Sequence, residues 1–143
     1  MREGECARMK RKITSKLYEW KNMLNGRMPL LIYGARQVGK TFEMREFGAL
    51  YYKNTIYVNF ETDERIGKYF ETDIHADHVI SVLEKYYQVK IVPENTLIIF
   101  DEIQLLDFSG QKESTYESLL TVVNKTKVAI MAVGTEDAYS KMF

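Results

Sequence analysis

The sequence has one cysteine and two prolines in 143 residues, and its formal charges cancel to zero. A lone thiol, Cys6, has no internal partner, which excludes a disulfide scaffold and a cysteine-rich zinc site and fits a reducing, cytoplasmic setting. No apolar run reaches the roughly 18 residues that a membrane helix needs, so no membrane association is expected. The first thirty residues lack the continuous apolar stretch of a signal peptide, so secretion by that route is not expected either. Proline-rich linkers, low-complexity tracts and internal repeats are missing. What remains is 45% hydrophobic and 28% charged, the composition of an ordinary globular chain with enough length for one domain.

The zero net charge conceals an asymmetry. Residues 1–27 hold eight basic and three acidic residues, and the remainder holds twelve basic and seventeen acidic. A basic N-terminal segment can be a solvated helix face, or it can meet an acidic partner such as DNA, with residues 8–27 as the candidate surface. Met9, Ile13, Leu17, Trp20 and Leu24 are spaced as one stripe of an amphipathic helix, and Asn25-Gly26 should end it.

Downstream, short apolar runs alternate with helical patterns. Leu30–Tyr33 reads as a short buried strand, and a glycine-bounded loop, Gly34 to Gly39, follows it. A helix from about Lys40 to Phe47 is expected to close at Gly48. Thr55–Phe60 is β-branched and aromatic and reads as a second strand. Helices are expected around 66–70 and 74–89, and a turn at Pro93-Glu94-Asn95. Leu97–Phe100 makes a third strand. Ser114 and Glu117 have capping-box spacing at the head of another helix. Val128–Val133 is a fourth strand, and Thr135 opens a last helix. Strands with apolar residues on both faces, separated by helices, imply a parallel sheet covered on both sides.

Gly34-Ala35-Arg36-Gln37-Val38-Gly39-Lys40-Thr41 satisfies G-x-x-x-x-G-K-[ST] at every fixed position. With glycine near 7% of average usage, one chance match in this chain has a probability of about half a percent. The match also falls between a predicted strand and a predicted helix, where the motif belongs. Glycines let the backbone curl so that successive N–H groups face phosphate oxygens, and the helix N-terminus adds partial positive charge. Lys40 would reach the β- and γ-phosphates, and the Thr41 hydroxyl would bind Mg²⁺. Leu97–Phe100 runs into Asp101-Glu102, an acid pair at a strand end, where open α/β sheets bind ligands. Asp101 would hold Mg²⁺ beside Thr41, and Glu102 would act as general base on water. Thr135, after the fourth strand, would face the γ-phosphate if that strand lies between the first and third; it also suits a helix N-cap. Asn59, near the end of strand two, would hydrogen-bond Glu102, or serve simply as a turn former.

These motifs resemble AAA-type P-loop ATPases. Residues 28–104 are similar to a prokaryotic AAA group in which GARQVGKT, YVNFE and NTLIIFDEIQ recur, while DFSGQKEST and AVGTEDAY look more like AAA regulators of DNA transposition. The resemblance implies a P-loop NTPase sheet with helices on both faces, ATP and Mg²⁺ as ligands, and catalysis by Glu102 with Lys40. It further implies a switch role for Asn59, a sensor role for Thr135 and a homo-oligomer or other chain that completes the site. It divides the chain into a basic N-terminal helix, 1–27, and a partial ATPase core, 28–143, truncated after the fourth core strand. In that family a fifth strand flanks the first, so strand one is expected here as an edge that invites association. No arginine follows Arg65, so slow hydrolysis is expected of the chain alone. The functions implied are ATP binding with hydrolysis that moves a partner, an ATP-dependent DNA-associated regulator, or a nucleotide-binding fragment without turnover.

Overall fold

Alternate residues of a strand point to opposite faces, and the third and fourth strands show the consequence. In the computed structural model, Ile98, Phe100, Ile130 and Ala132 enter one apolar core, while Leu97, Ile99, Ala129, Met131 and Val133 enter another on the opposite face. Both strands are buried along their whole length, as a sheet covered on both sides requires. The structure describes residues 15–23, 27–33, 39–106, 114–135 and 137–138. Their elements run α1 (15–21), β1 (Leu30–Tyr33), α2 (Gly39–Tyr51), β2 (Asn54–Asn59), α3 (Glu64–Thr72), α4 (Ala76–Tyr87), β3 (Thr96–Asp101), a 3₁₀ turn η1 (Ile103–Leu105), α5 (Thr115–Thr126) and β4 (Ala129–Gly134).

The sheet has the order β1-β4-β3-β2, and every pairing is parallel. Helices α1 and α2 cover one face, where Leu17, Trp20, Met44 and Phe47 meet the sheet. Helices α3, α4 and α5 cover the other through Ile66, Phe70, Val79, Leu83, Leu119 and Val122. Phe60, Phe70 and Phe100 pack there as a ring cluster with centroids 5.5–6.1 Å apart, a geometry worth about 0.5–1.5 kcal/mol per pair beyond burial. The expected helix caps are partly realised: Ser114 Oγ accepts from Glu117 N at 3.2 Å. The rest of the expected N-terminal stripe, Met9, Ile13 and Leu24, lies outside the described residues, as does the loop 107–113. No described helix is long and apolar enough to cross a membrane.

Three expectations are corrected. β1 is half-buried rather than buried, with Tyr33 exposed, because it pairs only with β4 and forms the sheet edge among the described residues. The helices α3 and α4 end at different points from those the apolar spacing suggested, since polar residues at Glu64, Glu71 and Thr72 extend one helix, and Gln88, in the left-handed conformation, stops the other. Gly48 does not close α2, which continues to Tyr51. Its role is packing: a Cβ at Gly48 would stand 2.3 Å from Thr55 Oγ1 and 2.8 Å from Thr55 Cγ2. Here α2 crosses the start of β2, and only glycine lets the two approach so closely.

Gly48→Ala is therefore expected to destabilise the protein, although alanine is the better helix former by about 1 kcal/mol. Overpacking against the stiff, β-branched Thr55 costs about 1–3 kcal/mol and outweighs that gain. Urea unfolding should show a lower midpoint for Gly48→Ala and recovery when Thr55→Ala is added. An unchanged midpoint in the single variant would refute the steric account.

Two basic residues of the N-terminal segment, Lys21 and Arg27, take part in the fold, whereas Lys16 is exposed. Arg27 is buried and bonds the Lys21 and Lys127 carbonyls at 3.0 and 3.2 Å, and it pairs with Glu94 at 3.0 Å. Lys21 lies 5.2 Å from the centre of the Tyr52 ring, as a cation does over an aromatic face. Arg27 thereby ties α1 to the turns at Glu94 and Lys127, at the end of the sheet opposite the acid pair.

Candidate functional site

The C-terminal ends of parallel strands carry the ligand sites of open α/β sheets. Here β3 ends in Asp101, β4 ends in Gly134, and the first turn of α2 brings Lys40 and Thr41 over both. Thr41 Oγ1 donates to Asp101 Oδ2 at 2.8 Å, joining residues sixty positions apart. Lys40 Nζ donates to the Gly134 carbonyl at 3.3 Å. The acid of one motif and the lysine-threonine pair of the other thus share one place, as their strand-end positions suggested.

Asp101 is 6% exposed, and a buried carboxylate needs donors. Besides Thr41 it accepts from the Tyr57 hydroxyl on Oδ2 and from the Glu102 backbone N–H on Oδ1, the latter at 2.8 Å. Tyr57 stands on β2 two residues before Asn59, whose register partner on β3 is Asp101, so its side chain shares the face of Asn59. Burial, then the bond to Asp101 and the charge of Asp101, push the Tyr57 hydroxyl up to about 12, so it remains a donor at neutral pH. The Arg45 guanidinium sits over the same ring at 4.6 Å.

Glu102 adopts the left-handed backbone conformation, φ 55° and ψ 44°. Non-glycine residues hold it only when their surroundings enforce it, and it is common at functional sites. Gln104 Nε2 donates to Glu102 Oε2 at 2.6 Å. On its other side Gln104 Oε1 accepts from Thr135 N at 3.3 Å. Gly134 is close as well: an added Cβ there would lie 2.7 Å from Gln104 Oε1 and 2.6 Å from Ala138 Cβ.

One expected contact takes another form. Asn59 does not bond Glu102; its Oδ1 accepts from Glu61 N at 2.8 Å, closing the turn after β2, and its Nδ2 reaches the Tyr57 hydroxyl at 3.4 Å. The Thr135 backbone N–H donates to Gln104 Oε1 at 3.3 Å, and its carbonyl accepts from Ala138 N at 2.9 Å. Strand β4 does lie between β1 and β3, the arrangement assumed for Thr135. Gly34, Ala35, Arg36, Gln37 and Val38 lie outside the described residues; Gly39 opens α2. Tyr57 and Gln104 were not singled out from the sequence. Gln104 has a signal, since it is the last residue of the DEIQ motif, but an amide two residues beyond Glu102 carries no chemistry of its own.

The donor set suits phosphate and a hard cation. An ammonium, a hydroxyl and a carboxylate converge beside a helix N-terminus, and Mg²⁺ is typically held by one or two protein oxygens plus phosphates and water. Among the described residues no group of three His, Cys, Asp or Glu forms an all-protein metal cage. His75 and His78 flank Asp73, and His75 is exposed at the start of α4. They are remote in chemistry from the strand-end cluster.

A parallel four-stranded sheet flanked by helices, with lysine and threonine at the head of the helix after β1 and an acid at the end of β3, defines the class: an α/β protein consistent with the P-loop NTPase fold. The family follows from comparison, because the family model described as AAA domain matches residues 26–138. The chain belongs to that AAA family. No curated protein matches the sequence. Membership points to nucleotide binding, and AAA-type domains often oligomerise.

Proposed function

We propose that the chain binds Mg-ATP between Gly34–Thr41 and Asp101 and, in a complete assembly, hydrolyses it to drive a conformational change in a partner. The bond between Thr41 Oγ1 and Asp101 Oδ2 supports this reading above all. It joins two motifs that are separately suggestive and lie sixty residues apart in the chain. Gly34, Ala35, Arg36, Gln37, Val38 and Gly39 are proposed as the phosphate-binding loop, the role their motif suits. Lys40 supplies the charge at the β- and γ-phosphates. Thr41 and Asp101 are the oxygen donors for Mg²⁺, which when bound neutralises developing phosphate charge. Glu102 takes a proton from the attacking water as general base. Asn59 and Thr135 are proposed as the switch and sensor positions, acting through the turn after β2 and through the end of β4. The basic N-terminal segment 1–27 is proposed as a helical element that precedes the ATPase core, and its described part, α1, packs on the sheet through Leu17 and Trp20. The basic stretch 8–27 is less available for DNA than its composition suggests, because Arg27 and Lys21 are engaged within the fold.

Asp101→Asn tests the cation side of this reading. The amide keeps the shape but loses the charge, and it offers a donor where Thr41 and Tyr57 also donate. The expected outcome is ATP affinity that no longer rises with Mg²⁺, measured by calorimetry with and without the cation. In the wild type, Mg-ATP at a hundredfold excess over Kd should raise folding stability by about 2.7 kcal/mol. A variant that retains the full Mg²⁺ response would remove Asp101 from the site.

A further inference from the structure

One peptide unit at the end of β4 is gripped from both sides. Its carbonyl, that of Gly134, accepts from Lys40 Nζ at 3.3 Å. Its N–H, that of Thr135, donates to Gln104 Oε1 at 3.3 Å. The same Gln104 side chain donates through Nε2 to Glu102 Oε2 at 2.6 Å. We propose that the Gly134–Thr135 peptide and Gln104 form a relay that couples Lys40 to the Glu102 carboxylate, which makes Gln104 a positioning residue for the base. The inference rests on the nucleotide reading above, in which Lys40 meets phosphate and Glu102 meets water.

The polarity of the relay is fixed by its ends. A backbone N–H can only donate and a carboxylate can only accept. The Gln104 amide therefore has one productive orientation, oxygen toward Thr135 and nitrogen toward Glu102. The reverse orientation sets NH₂ against N–H and oxygen against carboxylate, losing both bonds. Gln104 is 7% exposed, so water does not readily replace a bond that breaks. Glycine at 134 belongs to the same device, since a Cβ there would press on Gln104 Oε1 at 2.7 Å. The left-handed backbone of Glu102 turns the chain so that Glu102 and Gln104, two residues apart, meet side chain to side chain.

The consequence follows from the geometry. An ammonium drawn toward phosphate weakens its bond to the Gly134 carbonyl. A peptide unit is planar, so its carbonyl and N–H move together. A tilt at the carbonyl thus changes the Thr135–Gln104 bond and, through the amide, the orientation of the Glu102 carboxylate. Occupancy at Lys40 is thereby read at the base, over a path of three hydrogen bonds.

Nuclear magnetic resonance of the isotopically labelled full chain tests this without requiring turnover. The ligand is magnesium with a slowly hydrolysed ATP analogue. In the wild type, the Thr135 backbone amide, the Gln104 side-chain amide and the Glu102 carboxyl carbon should all move with the same saturation curve as the Lys40 and Thr41 amides. In Gln104→Met, which keeps the length and loses both polar ends, analogue affinity should stay within about twofold of wild type, while the Glu102 response falls by at least about half. If the Lys40 and Thr41 amides move and those of Gln104 and Glu102 stay fixed, the relay is wrong and nucleotide binding stands. An undiminished Glu102 response in Gln104→Met has the same meaning. If no signal at Lys40 or Thr41 moves, the nucleotide reading fails and takes the relay with it. The wild-type titration decides the matter by itself should Gln104→Met fold poorly.

Discussion

Lys40→Ala is expected to abolish measurable ATP binding while leaving the fold intact. The lysine stands in the first turn of α2, half-buried, with its ammonium on the Gly134 carbonyl. Removing it takes away a positive charge where the triphosphate would carry its negative charges, at the strand ends that bear Asp101 and Glu102. Without that ammonium the acid pair repels the phosphates, so the loss exceeds that of one hydrogen bond. Folding is expected to be little affected because alanine is the best helix former. Calorimetric titration of ATP into both proteins measures the difference, and circular dichroism with urea unfolding checks the fold. Equal affinities would remove Gly34–Thr41 from phosphate binding.

The sheet and its coverage were legible because buried parallel strands advertise themselves. Leu97–Phe100 and Val128–Val133 are apolar at successive positions, and both faces are in fact covered. The edge was less legible. Leu30–Tyr33 is as apolar as a central strand, and only sheet order shows that it has one neighbour among the described residues. Gly48 was misread for a related reason: a glycine after a helical pattern signals a stop by its backbone freedom, whereas a close crossing needs glycine for its missing side chain, and that need is visible only with Thr55 in place. In the site, residues belonging to a motif of fixed spacing could be named one by one. Tyr57 and Gln104 act across the sheet, through Asp101, Glu102 and Thr135. Tyrosine on a strand and glutamine after an acid pair carry no chemistry of their own until register and turn geometry aim them.

Glu102→Gln is expected to separate binding from hydrolysis. The side chain keeps its length, and its amide oxygen can still accept from Gln104 Nε2, the bond seen at 2.6 Å in the wild type. The left-handed backbone at this position is as tolerable for glutamine as for glutamate, so the turn into η1 should persist. Lys40, Thr41 and Asp101 keep their groups, and ATP affinity should change little. What is lost is basicity: a neutral amide does not take a proton from water. General-base catalysis contributes about 10²–10⁴-fold, so hydrolysis in a competent assembly should fall by at least about 10²-fold while KM for ATP stays near the wild-type value. Phosphate release under saturating ATP gives the first quantity, and its dependence on ATP concentration gives the second. The split matters because Asp101→Asn should lose the Mg²⁺ response as well, and Lys40→Ala should lose binding altogether. Three neighbouring polar residues thus have three distinct signatures. A Glu102→Gln protein that hydrolyses ATP at the wild-type rate would show that another group deprotonates the water. The short Gln104 contact would then hold a carboxylate with a structural role, bracing the turn after β3 against the end of β4.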